Sequence, residues 1–192
     1  LGGTNVDTIT LGAAASDTTI DLGGGNDKLT LGNFTNVVTV ANVETLVGGS
    51  SSDTVTLGSA FTGSHSIDLG AGSDTLRLGD FANTGTVNNV ETIIGGALAD
   101  TITIGNQVSN ASIDLGDSND TLTLGDFTNT ATVANVESLV GGSGADTITL
   151  ATALGATDTV NLGVGADKLI LSNLAHYGSV ANVETLISGS DS

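Results

Sequence analysis

The chain has no proline, cysteine, methionine or tryptophan, and only three of its 192 residues are basic. Without Cys there are no thiolate metal sites and no disulfides, a composition compatible with an oxidising exterior without requiring one. Three bases against 21 acids leave a net charge of −18. That balance argues against nucleic acid and against anionic membranes as partners, because both polyanions need Lys and Arg to displace their counterions. No apolar run approaches the roughly 18 residues of a membrane span, and no signal peptide or transit segment is visible, so no membrane insertion is expected. Aromatic residues make up 3% and charged residues 12% of the chain, too little for an ordinary globular domain, and this points to a repeat protein.

What is abundant is glycine, 28 residues of it, arranged in a repeating turn. LGAGSDTLRL (residues 69–78) joins a glycine-rich turn ending in a carboxylate to a short alternating strand. It recurs as LGGGNDKLTL (22–31), LGDSNDTLTL (115–124) and LGVGADKLIL (162–171). Looser relatives with a double glycine lie between them: LGGTNVDTITL (1–11), VGGSSSDTVTL (47–57), IGGALADTITI (94–104) and VGGSGADTITL (140–150). The motif carboxylates Asp7, Asp27, Asp53, Asp74, Asp100, Asp120, Asp146 and Asp167 are separated by 20, 26, 21, 26, 20, 26 and 21 residues. A second landmark keeps the same step, since Val43-Glu44-Thr45-Leu46 returns at residues 90–93, 136–139 and 183–186. Residues 1–192 therefore read as one repeat array of 46- or 47-residue units, each with two similar halves.

After each motif Asp, polar and apolar residues alternate, as in Thr54-Val55-Thr56-Leu57, which is the period of a half-buried strand. Helical periodicity is absent. Each half reads as strand, tight Gly/Asp turn, strand, longer loop. Strands this short cannot bury their apolar faces alone, so the halves should stack, each strand pairing in parallel with its equivalent in the next coil. The expected fold is all-β: a right-handed parallel β-solenoid of about eight coils of 20–26 residues, two strands per coil, two coils per unit. Leu, Ile and Val should fill the interior. Phe34, Phe81 and Phe127, with Leu174 in the fourth unit, should plug every second coil, and Asn42, Asn89, Asn135 and Asn182 should form internal loop ladders. Both ends resemble interior repeats, so the array is expected to belong to a longer one or to stack end to end with neighbours.

The turn pattern Gly-x-Gly-x-Asp-x-Leu-x resembles the nonapeptide of the repeats-in-toxin (RTX) family of secreted bacterial calcium-binding β-rolls, G-G-x-G-x-D-x-U-x, and the resemblance covers all eight copies. It implies that turn carbonyls and the Asp carboxylates hold several Ca²⁺ ions between neighbouring turns. Asp7, Asp27, Asp53, Asp74, Asp100, Asp120, Asp146 and Asp167 are then the metal-site carboxylates, and Gly23, Gly25, Gly70, Gly72, Gly163 and Gly165 the turn glycines. It also implies an extracellular or cell-surface location reached by one-step (type I) secretion, with folding on meeting calcium.

The chemistry agrees with this. Ca²⁺ takes six to eight hard oxygen ligands, and glycine accepts backbone angles that let several carbonyls converge. Stacking should place the eight Asp in a single column whose mutual repulsion opposes folding until a cation reverses its sign. A second reading stands beside it, in which each Asp only caps its turn through hydrogen bonds to backbone. The second consensus glycine is present at Gly25, Gly72, Gly144 and Gly165 and replaced by Asn5, Ser51, Leu98 and Ser118, and the turn ending at Asp100 is the candidate for a weak or empty site. Asp21, Asp68 and Asp114 are either accessory ligands or solvated strand residues, the tetrad Glu residues read as surface groups, and Lys28, Arg77 and Lys168 either temper the acidic column or simply face solvent.

His65 and His176 lie in separate loops without a Ser or Cys partner, so no catalytic residue and no enzyme activity are expected. The function expected is that of a structural, calcium-stiffened segment of a bacterial surface protein such as an adhesin, surface-layer or fibre subunit, able to self-associate end to end or laterally. The alternatives are a calcium-binding accessory module of a secreted enzyme and an ice-binding solenoid. The last resembles the Thr-x-Thr faces of such proteins, through Thr8 and Thr10, Thr54 and Thr56, Thr101 and Thr103, Thr121 and Thr123, and Thr147 and Thr149.

Overall fold

The computed structural model describes residues 2–189. Ser190, Asp191 and Ser192, where a further motif Asp falls due, lie outside the described residues, as does Leu1. Twenty strands follow one another: β1 (Thr8–Thr10), β2 (Thr18–Asp21), β3 (Lys28–Thr30), β4 (Val37–Ala41), β5 (Thr45–Gly49), β6 (Thr54–Leu57), β7 (Ser66–Gly70), β8 (Thr75–Arg77), β9 (Thr84–Asn88), β10 (Thr92–Gly96), β11 (Thr101–Ile104), β12 (Ser109–Gly116), β13 (Thr121–Thr123), β14 (Thr130–Ala134), β15 (Ser138–Gly142), β16 (Thr147–Leu150), β17 (Thr159–Gly163), β18 (Lys168–Ile170), β19 (Ser179–Ala181) and β20 (Thr185–Ile187). All odd-numbered strands form one parallel sheet and all even-numbered strands a second, ten strands in each. The chain is thus a right-handed parallel β-solenoid of about nine turns with two strands per coil.

The coils are shorter and more numerous than the sequence suggested. Register pairs Thr8 with Lys28, Lys28 with Thr45, and Thr45 with Ser66, and every other coil likewise spans 17, 20 or 21 residues. The difference comes from β4, β9, β14 and β19, which the sequence reading had folded into its longer loops. Each lies between a Gly/Asp strand and a tetrad strand and adds a fifth strand to every 46- or 47-residue unit. A unit is therefore two and a half coils, not two. Successive tetrads accordingly alternate between sheets: Thr45 on β5, Thr92 on β10, Ser138 on β15 and Thr185 on β20.

The interior follows from strand alternation. Val55, Leu76, Ile93, Ile113 and Val133 are paired in register from rung to rung and are all buried. Each such side chain contributes roughly 1.5–3 kcal/mol of burial, which no isolated coil could collect.

The aromatic expectation is corrected. Phe34, Phe127 and Leu174 are 38%, 42% and 54% exposed and plug nothing, and Phe81 is only half-buried, whereas Phe61 is buried. Phe61 fits because Gly85, on β9, has no side chain; a Cβ there would collide with the Phe61 ring. Asn42, Asn89 and Asn135 are half-buried in left-handed backbone, with φ between 50° and 53°, rather than packed inside. Asn182 shares that backbone and is exposed.

Candidate metal centre

The motif Asp residues do not form a single column. Because one unit spans two and a half coils, they fall into four pairs on alternating edges of the solenoid. Asp7/Asp27 and Asp100/Asp120 precede strands of the odd sheet, and Asp53/Asp74 and Asp146/Asp167 precede strands of the even sheet. Within a pair, the first backbone N–H donates to Oδ1 of the second, at 2.7 Å for Asp7 to Asp27, Asp53 to Asp74 and Asp146 to Asp167, and 2.6 Å for Asp100 to Asp120.

Each pair sits inside a longer file. Asn36 donates to Asp53 Oδ1 through its backbone N–H (3.0 Å) and its Nδ2 (2.9 Å), and the Asp74 N–H donates to Glu91 Oε2 at 2.8 Å. The series Asn36–Asp53–Asp74–Glu91 repeats as Asn83–Asp100–Asp120–Glu137 and Asn129–Asp146–Asp167–Glu184. On the first edge it is shortened to Asp7–Asp27–Glu44. The tetrad Glu residues thus close the files rather than merely decorating the surface, although Glu184 is exposed. Asn36, Asn83 and Asn129 were missed in the sequence, yet they recur at the repeat step with His176 in the fourth place. His176 Nδ1 accepts the Leu154 N–H just as Asn83 Oδ1 accepts the Phe61 N–H.

These files leave one oxygen of each of seven Asp carboxylates without a partner. Oδ2 of Asp27, Asp53, Asp74, Asp100, Asp120, Asp146 and Asp167 is buried and unbonded, in side chains no more than 1% exposed. Removal from water is the main reason the carboxyls of Asp74 and Asp120 are pushed up to about 6, with the neighbouring carboxylates adding to it. Asp53, Asp100 and Asp146 are raised for the same first reason. Turn capping therefore accounts for one oxygen of each Asp and not the other. A buried anion without a partner is costly and calls for a proton or a cation.

The turns around these oxygens are shaped by glycine. A Cβ at Gly23, Gly70 or Gly163, all at φ between 86° and 88°, would overlap the carbonyl of Gly3, Gly49 or Gly142 in the preceding coil. At Gly25 (φ 150°) a Cβ would stand 2.5 Å from the Asn5 carbonyl oxygen and 2.8 Å from Asp27 Oδ1. At Gly72 (φ 153°) a Cβ would stand 2.9 Å from the Ser51 and Ser52 backbone, and a Cβ at Gly165 would lie 2.7 Å from Asp167 Oδ1 and overlap the Gly144 carbonyl. The second turn of a pair thus packs its glycine backbone directly against the first turn, beside the carboxylate at Gly25 and Gly165. Among the described residues no group of three or more His, Asp or Glu is placed to hold one metal ion. A cation would therefore draw on two carboxylates per pair and on backbone carbonyls, a donor set of hard oxygens suited to Ca²⁺.

The remaining candidates have structural positions. Oδ1 of Asp21, Asp68 and Asp114 accepts the N–H of Gly23, Gly70 and Gly116 and the Nδ2 of Asn42, Asn89 and Asn135, so these residues brace the turn. Those bonds lower the Asp21 carboxyl, the Asn42 one most. Lys28, Arg77 and Lys168 occupy strand positions, and among the described residues none comes within ion-pair distance of a carboxylate. His65 lies 3.7 Å from Glu44, and His176 3.3 Å from the Ser172 hydroxyl. The Thr-x-Thr pairs are split between the sheets, with Thr54, Thr56, Thr147 and Thr149 on the even one and the others on the odd one, so no single face collects them.

No protein-family model, curated protein or solved structure matches the chain. The likeness to the RTX β-roll rests on the turn motif and on the parallel solenoid that carries it.

Proposed function

We propose that this chain is a calcium-stabilised structural repeat segment, of the kind that extracellular bacterial surface proteins use as stalks, layers or fibres. The observation that carries this reading is the set of seven buried, unpartnered Asp Oδ2 atoms, six of them in pairs on adjacent coils and Asp27 paired with the half-buried Asp7. Calcium supplies positive charge and a coordination shell that hard oxygens can fill. Asp7 and Asp27, Asp53 and Asp74, Asp100 and Asp120, and Asp146 and Asp167 would hold it. Gly25, Gly72 and Gly165, like Gly23, Gly70 and Gly163, let adjacent turns close on each other.

Removing the ions leaves like charges buried side by side, so binding and folding become one equilibrium. Extracellular calcium modules operate near 10⁻⁴–10⁻³ M, roughly, so such a chain would stay loose inside a cell and stiffen outside it. Circular dichroism of the chain with calcium and with a chelator tests this, with bound calcium counted in parallel. Strand content and melting temperature should fall on chelation; strand content indifferent to the chelator, with no bound ion, would overturn the reading. A catalytic domain beside this array in the same polypeptide would instead make it an accessory module of a secreted enzyme.

A further inference from the structure

We propose that the cavity between Glu91 and the loop that leads from β11 into β12 binds a compact organic cation of the imidazolium kind. The proposal goes beyond the calcium reading and does not rest on it, because the cavity is lined by no motif Asp and no turn glycine.

The chain holds the same place twice, once filled and once open. Asn42 and Asn89 each donate a backbone N–H to the loop beside them, to Ser59 Oγ at 2.8 Å and to Asn106 Oδ1 at 2.9 Å. The backbone carbonyls of Glu44 and Glu91 accept the N–H of Ser66 and Ser112, where the two loops end. Both carboxylates also accept, on Oε2, the N–H of a motif Asp, Asp27 in one case and Asp74 in the other. At the first place the loop lays two rings over the core. Phe61 is buried, the His65 ring centre stands 5.9 Å from it, and His65 Nε2 lies 3.7 Å from Glu44 Oε1. About 10 Å³ is left free there. At the second place Val108 and Ala111 stand where Phe61 and His65 stand in the first, and about 150 Å³ is open. Among the described residues no His, Lys or Arg comes within ion-pair distance of Glu91.

The walls select the ligand. Asn89 Nδ2 donates to Asp68 Oδ1, Asn106 Nδ2 to Asn89 Oδ1 and the Gln107 carbonyl, and Gln107 Nε2 to the Thr128 carbonyl, so each side-chain amide nitrogen is engaged. What remains is the Glu91 carboxylate and the Ser109 hydroxyl over buried Val90 and Val108. An anion would meet a carboxylate on a chain of net charge −18, and a hydrated metal ion would gain nothing from the valines. A flat organic cation can set an N–H on Glu91 and its apolar face on the valines, as His65 does between Glu44 and Phe61. Such a ring can arrive as a free molecule or on the side chain of another protein.

The test titrates imidazole, at about pH 6 where it is largely protonated, into the folded full chain in millimolar calcium and follows the backbone amides by NMR. Shifts should saturate and be confined to Asn89, Glu91, Asn106, Gln107 and Ser109. Glu91→Gln keeps an acceptor for the Asp74 N–H and should weaken binding about tenfold. Ala111→His should abolish it by filling the place from within. N-acetylhistidine methylamide distinguishes the sources: its binding admits a partner's side chain, and binding of imidazole alone assigns the cavity to a free ligand. Shifts spread over the acidic surface without saturation, an equal response to ammonium, or unchanged binding in either variant overturns the proposal.

Discussion

The backbone N–H of Asp53 donates to Oδ1 of Asp74 across 2.7 Å, while the other oxygen of the Asp74 carboxylate is sealed from water with nothing to bond. The same side chain therefore stitches two coils together and burdens them with a buried charge. Which effect wins depends on what neutralises that charge.

Asp74→Asn separates the two effects. Asn keeps an acceptor for the Asp53 N–H and removes the charge, at a cost of about 1–3 kcal/mol for an unsatisfied amide group. In chelator the variant should melt at or above the temperature of the unsubstituted chain, and in millimolar calcium below it. Calorimetry in the two buffers reads the crossing, and a variant less stable in both would show that the charge was never the burden.

Acidity should act in the same direction as calcium. The folded-state values of about 6 at Asp74 and Asp120 lie above the roughly 3.9 of an unfolded Asp. The folded chain therefore binds protons that the unfolded chain releases between those values. That contribution is fully present below about pH 4 and lost as pH rises through about 6. The chelated chain is expected to melt higher at pH 5 than at pH 7, as a thermal scan at each pH will show.

The core should respond rung by rung. Leu76 is fully buried between Val55 and Ile93, and Leu76→Ala should cost about 2–5 kcal/mol by denaturant titration with calcium present. A loss below 1 kcal/mol, roughly, would mean that the rungs repack around the cavity.

Gly85 tests the one buried aromatic. Gly85→Ala drives a methyl into the Phe61 ring, and overpacking of this kind costs about 1–3 kcal/mol. The double variant with Phe61→Leu should recover part of that loss, because the smaller side chain frees the space the methyl needs.

Much of the solenoid was legible before any coordinates. Alternation after each motif Asp set the strands, and the glycines before it set the turns. The tetrad step gave the length of the unit. What misled was a short segment such as Thr84-Gly85-Thr86-Val87-Asn88, which has a glycine at an inward position and no pattern strong enough to announce a strand. It pairs because β7 and β11 offer it hydrogen bonds on both sides, and its glycine is there for Phe61.

The sequence by itself determined that this chain winds into parallel strands around an aliphatic core and carries a carboxylate at each glycine turn, since residue spacing and side-chain polarity are local properties. Only the tertiary structure decided how many strands make one unit, and therefore on which edge each carboxylate lies. Half a turn gained per repeat is the outcome of pairing between coils, and it turns a presumed column of eight Asp into four pairs facing alternate ways.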